Sequence, residues 1–211
     1  MKRLAILGAS GHGKVIADAA LLSGWDDVVF YDDVWPGRRE NGSWSIVGDT
    51  KTLIENIGEV DGVIVAIGDN NIRQQKSFQL KKALLPLVSV IHPKAIVSKH
   101  TQIGAGCFIA ASAVVNVDVV IGDFSIINTA AILEHDCFIG NACHISPAAS
   151  LAGGVILGQR TWVGINATVR QLVKLGDDVL VGAASVVIKD VQPGTTVVGN
   201  PARILERKKK C

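Results

Sequence analysis

From Val97 to Val187 every sixth residue is Ile, Leu or Val: Val97, Ile103, Ile109, Val115 and onward to Val181 and Val187, sixteen positions without a break. The residue four places after each one, from Thr101 and Cys107 to Ser185 and Val191, is small or β-branched. In a chain that is 48% hydrophobic, chance does not put sixteen aliphatics in step. A period of six is the mark of a parallel β-helix, in which each unit supplies one short strand and one corner. The large aliphatic fills the interior, and the small residue near the corner leaves room for its neighbours. Gly follows the aliphatic at positions 104, 122, 140, 158, 164, 176 and 182, and Asn does so at 116 and 128. These residues turn the chain at low cost, so they are expected to make the corners.

Three units closing one triangular coil put stacked residues eighteen apart, and sixteen units make a little over five coils. Only 5% of the residues are aromatic, which suits a core of repeated small aliphatics. Cys107, Cys137 and Cys143 fall on the small corner position and read as packing groups rather than redox groups. The four cysteines, with Cys211, have neither zinc-type nor redox-type spacing, which fits reduced thiols in the cytoplasm. No leader peptide is read at the N-terminus, and no uncharged apolar run is long enough to span a bilayer. With 21 basic and 19 acidic residues, the chain lacks the clustered basic excess of a nucleic-acid binder.

The first ninety residues follow another pattern. "KRLAILG", "DDVVFYDD" and "GVIVAIGD" read as buried strands; "KVIADAALLSG" and "NNIRQQKSFQLKKALL" read as helices. Strands and helices in alternation make a parallel sheet with helices packed on it. Ligands on such sheets bind beyond the carboxyl ends of the strands, where the turns at 8–13, 32–33 and 67–70 should converge. The predicted organisation is an α/β half-domain over 1–90, a β-helix over 91–201 and a basic C-terminal extension over 202–211, the last a short extension or helix from about Ala202.

The first turn, "GASGHGKV", has three possible uses. A P-loop has Gly8, Gly13 and Lys14 at the right spacing, but Val15 stands where the magnesium-binding hydroxyl belongs. The dinucleotide fingerprint fails because Gly8, Gly11 and Gly13 are in the wrong order and about ninety residues cannot hold two mononucleotide halves. What remains is a half-size fold for one nucleotide, with Ser10, Gly11 and His12 facing the group beyond the phosphates, or else a purely structural strand-to-helix turn carrying a surface histidine.

In the repeats, chemistry concentrates in "ILEHDCFIGNACHISPAASLAGGV". His135 projects outward beside Glu134 and Asp136, where a carboxylate can orient an imidazole acting as general base. Gly153 and Gly154, eighteen residues on, should lie beside this pair and open a groove. His144 also points outward, next to Trp162 in the following coil, and its closeness in sequence to His135 strengthens the functional reading. His92 and His100 read as structural or solvated.

These stretches, with "FYDD", "AIGDNNIR", "IHPKA", "VGINATV" and "VGNPARI", resemble the PglD-like and sialic-acid O-acetyltransferase-like sugar acetyltransferases over nearly the whole chain. The resemblance implies a left-handed β-helix, a homotrimer with active sites between neighbouring helices, and acetyl-CoA as donor without a metal. It implies a nucleotide-linked, UDP-bearing 4-amino-4,6-dideoxyhexose as acceptor and a place in surface polysaccharide biosynthesis. Ser10, Gly11, His12, Asp32, Asp33 and Gly68 would bind the nucleotide sugar. His135 would be the base, Asp136 its partner, and His144, Ile165 and the backbone at Ala183 would contact acetyl-CoA. The chain departs from close relatives in carrying Asp136 where they have Glu, which leaves part of that role to Glu134. A GDP-linked amino sugar and sialic acid O-acetylation are the alternative acceptor chemistries. An inert scaffold would have no need of the His135–Asp136 pair.

Overall fold

The computed structural model describes residues 1–206; residues 207–211 of the basic extension, Cys211 among them, lie outside the described residues. The α/β region opens with β1 (Arg3–Leu7), α1 (Gly11–Leu22) and β2 (Asp27–Tyr31), followed by the short strands β3 (Glu40–Asn41) and β4 (Trp44–Gly48). Then come α2 (Thr50–Glu55), β5 (Gly62–Val65) and α3 (Asn70–Lys82). The sheet order is β3-β4-β2-β1-β5. β1 sits at its centre, parallel to both β2 and β5, and buries Leu4, Ala5 and Ile6 completely.

The three expected strands (β1, β2 and β5) and both expected helices (α1 and α3) thus fall into place, while the β3–β4 hairpin and α2 are additions. Their signals are in the sequence. Gly42-Ser43 is a two-residue hairpin loop between the paired Asn41 and Trp44, and Gly42 has φ +67. Asp49 caps α2 by accepting a bond from Thr52 N at 2.8 Å. The first turn uses its glycines for contact as well as freedom. Gly8 has φ +115, and a Cβ on Gly13 would stand 2.8 Å from the Phe30 ring, so α1 lies close on the sheet.

The chain leaves the sheet along β5, with Val63 N donating to Pro86 O and Val88 N to Val63 O. It enters the β-helix at Val90–Ile91, which pairs with Phe108–Ile109. The repeat therefore starts one unit before Val97. Two-residue strands then stack into three parallel faces. The first face begins Val90, Phe108, Ile126, His144, Trp162, Leu180; the second Ile96, Val114, Ile132, Ser150, Thr168, Val186; the third Gln102, Val120, Phe138, Ile156, Lys174. The second residue of each strand is the predicted interior aliphatic, and from Ile109 to Val187 these side chains are buried. Each buried aliphatic contributes roughly 1.5–3 kcal/mol of transfer free energy.

The corners turn elsewhere than expected. Every sixth residue from Gly106 to Ala184 has φ between +55 and +67, which is the third residue after each aliphatic, and most of these are not glycine. The glycines directly after the aliphatic serve another purpose. A Cβ on Gly104 would lie 2.6 Å from Asp123 N, and one on Gly140 would lie 2.7 Å from Gln159 N. They permit backbones of successive coils to approach, a requirement set by the neighbouring coil.

α1 packs Ile16, Ala17 and Ala20 against the upper first face, in one cluster with Val90, Phe108 and Ile126. The lower first face stays open. Below it, Thr196–Val198 adds in parallel to Leu180–Val181, and Arg203–Ile204 folds back antiparallel on it. Arg203–Ile204 is thus a strand rather than a helix, because its backbone finds an open sheet edge.

Candidate active site

Leu133 points into the core, and Glu134, His135 and Asp136 form the corner between the second and third faces. Asp136 sits at the left-handed position with φ +60, a conformation that Asp tolerates better than most residues. Its Oδ2 lies 2.7 Å from His135 Nδ1. That partner makes Nδ1 the protonated nitrogen and leaves the Nε2 lone pair free. The hydrogen bond to Asp136, followed by the charges of Asp136 and Glu134, pushes the His135 pKa up from its ordinary value. Glu134 points to the coil above, where its Oε2 accepts from Asn116 Nδ2 at 2.9 Å.

Gly153 lies directly under the imidazole: a Cβ there would be 2.6 Å from both Nε2 and Cε1 of His135. Gly154 donates its N–H to His135 O at 2.9 Å. A Cβ on Gly154 would meet Leu172 rather than Asp136.

A second feature occupies another edge of the prism. His144, Ser146, Pro147, Trp162, Gly164, Ile165, Leu180, Gly182 and Ala183 line a mostly apolar groove of about 430 Å³ on the lower first face. His144, Ile165 and Ala183 therefore share one wall. Trp162 stacks on His144 with centroids 5.3 Å apart and planes 11° apart, and its indole N–H donates to Ser146 Oγ at 2.8 Å. Asn128 Nδ2 lies 3.1 Å from His144 Nε2. Burial, then the charges of Arg73 and His12, lower the His144 pKa to about 3, so the ring is neutral. Small residues and a flat aromatic wall suit a thin, flexible arm of methylene and amide groups such as the pantetheine of acetyl-CoA. His144 is not beside His135: nine residues are one and a half repeats, which carries it to a different face.

The turn residues of the α/β region are more committed than expected. Asp32 accepts from Ala9 N at 2.6 Å and from Val34 N at 3.1 Å, which ties the end of β2 to the glycine turn. Asp33 accepts from Thr50 N and Oγ1 and from Lys76 Nζ. Partial burial opposes its charge, but the bonds from Lys76 and Thr50 outweigh it and hold Asp33 below the usual carboxylate range. Ser10 and Gly11 are exposed at the start of α1. His12 turns inward, edge-on to Phe108 at 5.6 Å and 6.5 Å from His144 between ring centroids. Burial, then Arg73, lower its pKa to about 4. Gly68 gives its carbonyl to Arg73. Arg73 drew no notice in the sequence because one arginine on an amphipathic helix carries no sign of burial.

Residues 3–80 match the family model of the PglD N-terminal domain. A curated relative, UDP-N-acetylbacillosamine N-acetyltransferase of Bacillus subtilis, is 36% identical over 116 residues, and the match spans 53% of this chain and about half (52%) of that protein. PerB from Caulobacter crescentus, solved in complex with CoA and GDP-perosamine, is 35% identical with TM-score 0.91, covering 98% of both chains. The acetyltransferase domain of PglB from Neisseria gonorrhoeae, solved with acetyl coenzyme A, is 37% identical with TM-score 0.92, covering 97% of this chain and 99% of that one. Shared sequence and architecture over nearly the full length place this chain in the PglD-like family of sugar N-acetyltransferases.

Proposed function

We propose that the protein transfers the acetyl group of acetyl-CoA to the 4-amino group of a UDP-linked 4-amino-4,6-dideoxyhexose, with His135 as general base. The observation that carries this reading is the 2.7 Å contact between His135 Nδ1 and Asp136 Oδ2 above the bare backbone of Gly153. Asp136 holds the proton on Nδ1, so Nε2 faces outward as the proton acceptor. The acceptor amine reaches the site as an ammonium, which cannot attack. Nε2 takes one proton, the freed amine nitrogen bonds to the thioester carbonyl carbon and gives its second proton to solvent, and the carbon–sulfur bond breaks as the tetrahedral intermediate collapses to the neutral amide. The proton on His135 then passes to the departing thiolate. A backbone N–H steadies the oxyanion, and holding amine and thioester together supplies much of the remaining rate.

Within one chain the His135 corner and the apolar groove lie on different edges of the prism. A homotrimer with parallel axes would set the His135 corner of one copy against the groove of the next; the groove's shape and lining support it as the donor site, and relatives solved with CoA support a CoA donor. Asp32, Asp33, Ser10, Gly11 and Gly68 would frame the nucleotide at the strand ends. A GDP-linked acceptor is the second reading, favoured by the full-length likeness to a protein solved with GDP-perosamine.

The test is thiol release from acetyl-CoA with a panel of UDP- and GDP-linked 4-amino-dideoxyhexoses and with free and CMP-linked sialic acid. Turnover with one amino sugar, abolished in His135→Ala, is the expected result and names the nucleotide. Turnover with sialic acid alone would replace N- by O-acetylation. Full activity in His135→Ala would remove the base.

A further inference from the structure

Arg73 is on α3 in the α/β region, yet its guanidinium is in the wall of the β-helix. It is 1% exposed, and among the described residues it meets no carboxylate in hydrogen-bond contact. Nε donates to Phe124 O at 2.8 Å. Nη2 donates to Ala142 O at 2.8 Å, to Cys143 O at 3.2 Å and to Asn70 Oδ1 at 2.7 Å. Nη1 donates to Ile67 O at 2.9 Å and Gly68 O at 3.1 Å. Alongside it, Asn70 Nδ2 donates to Arg160 O at 2.8 Å.

Phe124, Ala142 and Arg160 are eighteen residues apart and occupy the same left-handed corner position. Their carbonyls form a vertical row on the edge between the third and first faces, and Asn70 and Arg73 together satisfy all three. A buried carbonyl without a partner is costly, so this row selects a planar, multi-donor side chain. Lysine has three donors on one atom and cannot reach acceptors spread around the rim of a planar fork.

The same side chain touches two functional segments. Through Nη1 it holds the 67–68 turn at the end of β5, where the nucleotide sugar is placed above. Through Nη2 it holds the two residues before His144, which heads the apolar groove. We propose that Arg73 is a positioning residue that sets the nucleotide-sugar turn and the acetyl-CoA groove in one frame, so that loss of its planar contacts loosens both binding sites together. This rests on the substrate reading given above. The charge it adds beside His12 and His144 helps to keep both rings neutral, in line with a site that binds through His144 without protonating it.

The test uses the full chain carrying Arg73→Lys, Arg73→Met or Asn70→Ala. Acetyl-CoA binding is read by quenching of Trp162 in a background with Trp25, Trp35 and Trp44 replaced by Phe, and the UDP- and GDP-amino sugars are titrated by calorimetry. Amide hydrogen exchange is followed across 66–72 and 142–146. The expected result is a tenfold or greater loss of affinity for both ligands in Arg73→Lys, a smaller loss of both in Asn70→Ala, and faster exchange in both segments. The pH midpoint set by His135 in kcat/KM stays in place. If Arg73→Met does not fold, the lysine and asparagine variants decide.

Folded variants with unchanged affinities, or a loss confined to one ligand with exchange raised in one segment, would overturn the proposal. A wild-type protein that binds acetyl-CoA but no nucleotide sugar would sink the substrate reading instead. Paired exchange in the two segments would then still decide the role of Arg73.

Discussion

Gly153 and His135 are neighbours across one coil, and the absence of a side chain on the first leaves space for the imidazole of the second. Gly153 does not have positive φ, so alanine fits its backbone. In Gly153→Ala the new methyl would occupy the approach to Nε2, and the exposed imidazole would swing aside. kcat/KM should fall by about 100-fold, while stability stays within about 0.5 kcal/mol of wild type, as at an open surface site. Parallel thermal melts and initial rates check this; a normal rate would mean that the base works from another orientation.

The pH profile should report the Asp136 contact. A general base works when neutral, so kcat/KM rises as pH passes upward through the His135 pKa. The hydrogen bond to Asp136 and the adjacent negative charges raise that pKa, placing the rising limb above that of a free imidazole. Asp136→Asn should move the limb to lower pH and lower the plateau, since the ring also loses its orientation. Rates measured from pH 5 to 9 show both. A limb that stays in place would assign the titration to another group.

Acid should act through the buried histidines. His12 and His144 have folded-state pKa values of about 4 and about 3, against about 6.5 in an unfolded chain. Between these limits the unfolded state binds more protons, so stability rises with pH. As pH falls from 7 toward 4, the two rings together should cost a few kcal/mol, at 1.36 kcal/mol per pKa unit and with allowance for their coupling. Denaturant melts across this range should show the loss, and His144→Gln should flatten it. An unchanged slope in that variant would place the sensitivity elsewhere.

One position is open to stabilisation. Leu84 follows the last turn of α3 with φ +61 and is 83% exposed. A leucine in left-handed backbone costs about 1–2 kcal/mol, and nothing here is gained by its burial. Leu84→Asn should raise the melting temperature by a few degrees, about 1 kcal/mol. A melting temperature at or below wild type would show that the exposed leucine makes a contact worth its strain.

The interior of the β-helix was legible because its constraint is periodic: a buried aliphatic at every sixth residue leaves a trace that any window shows. The corners were not. Phe124, Asp136 and Leu172 share left-handed backbone with little in common chemically, since the stacked coils impose that conformation whatever the side chain. Gly104 and Gly140 looked like turn residues, yet they answer to a backbone eighteen residues away. The His135–Asp136 pair could be read because its members are adjacent. The burial of Arg73 could not, for it depends on which side of α3 meets a row of carbonyls in another region. The β3–β4 hairpin has a local signal, the Gly42-Ser43 loop.

Eighteen residues per coil also quantise the architecture. Adding or removing one whole coil between the α/β region and the groove would move His144 along the axis by one strand spacing, about 4.8 Å, and leave every face in its place. Adding six residues would instead rotate all that follows by one face. The reach between the two binding regions can therefore be lengthened only in fixed increments, and a family built on this frame must fit its acceptors to a ruler with coarse divisions.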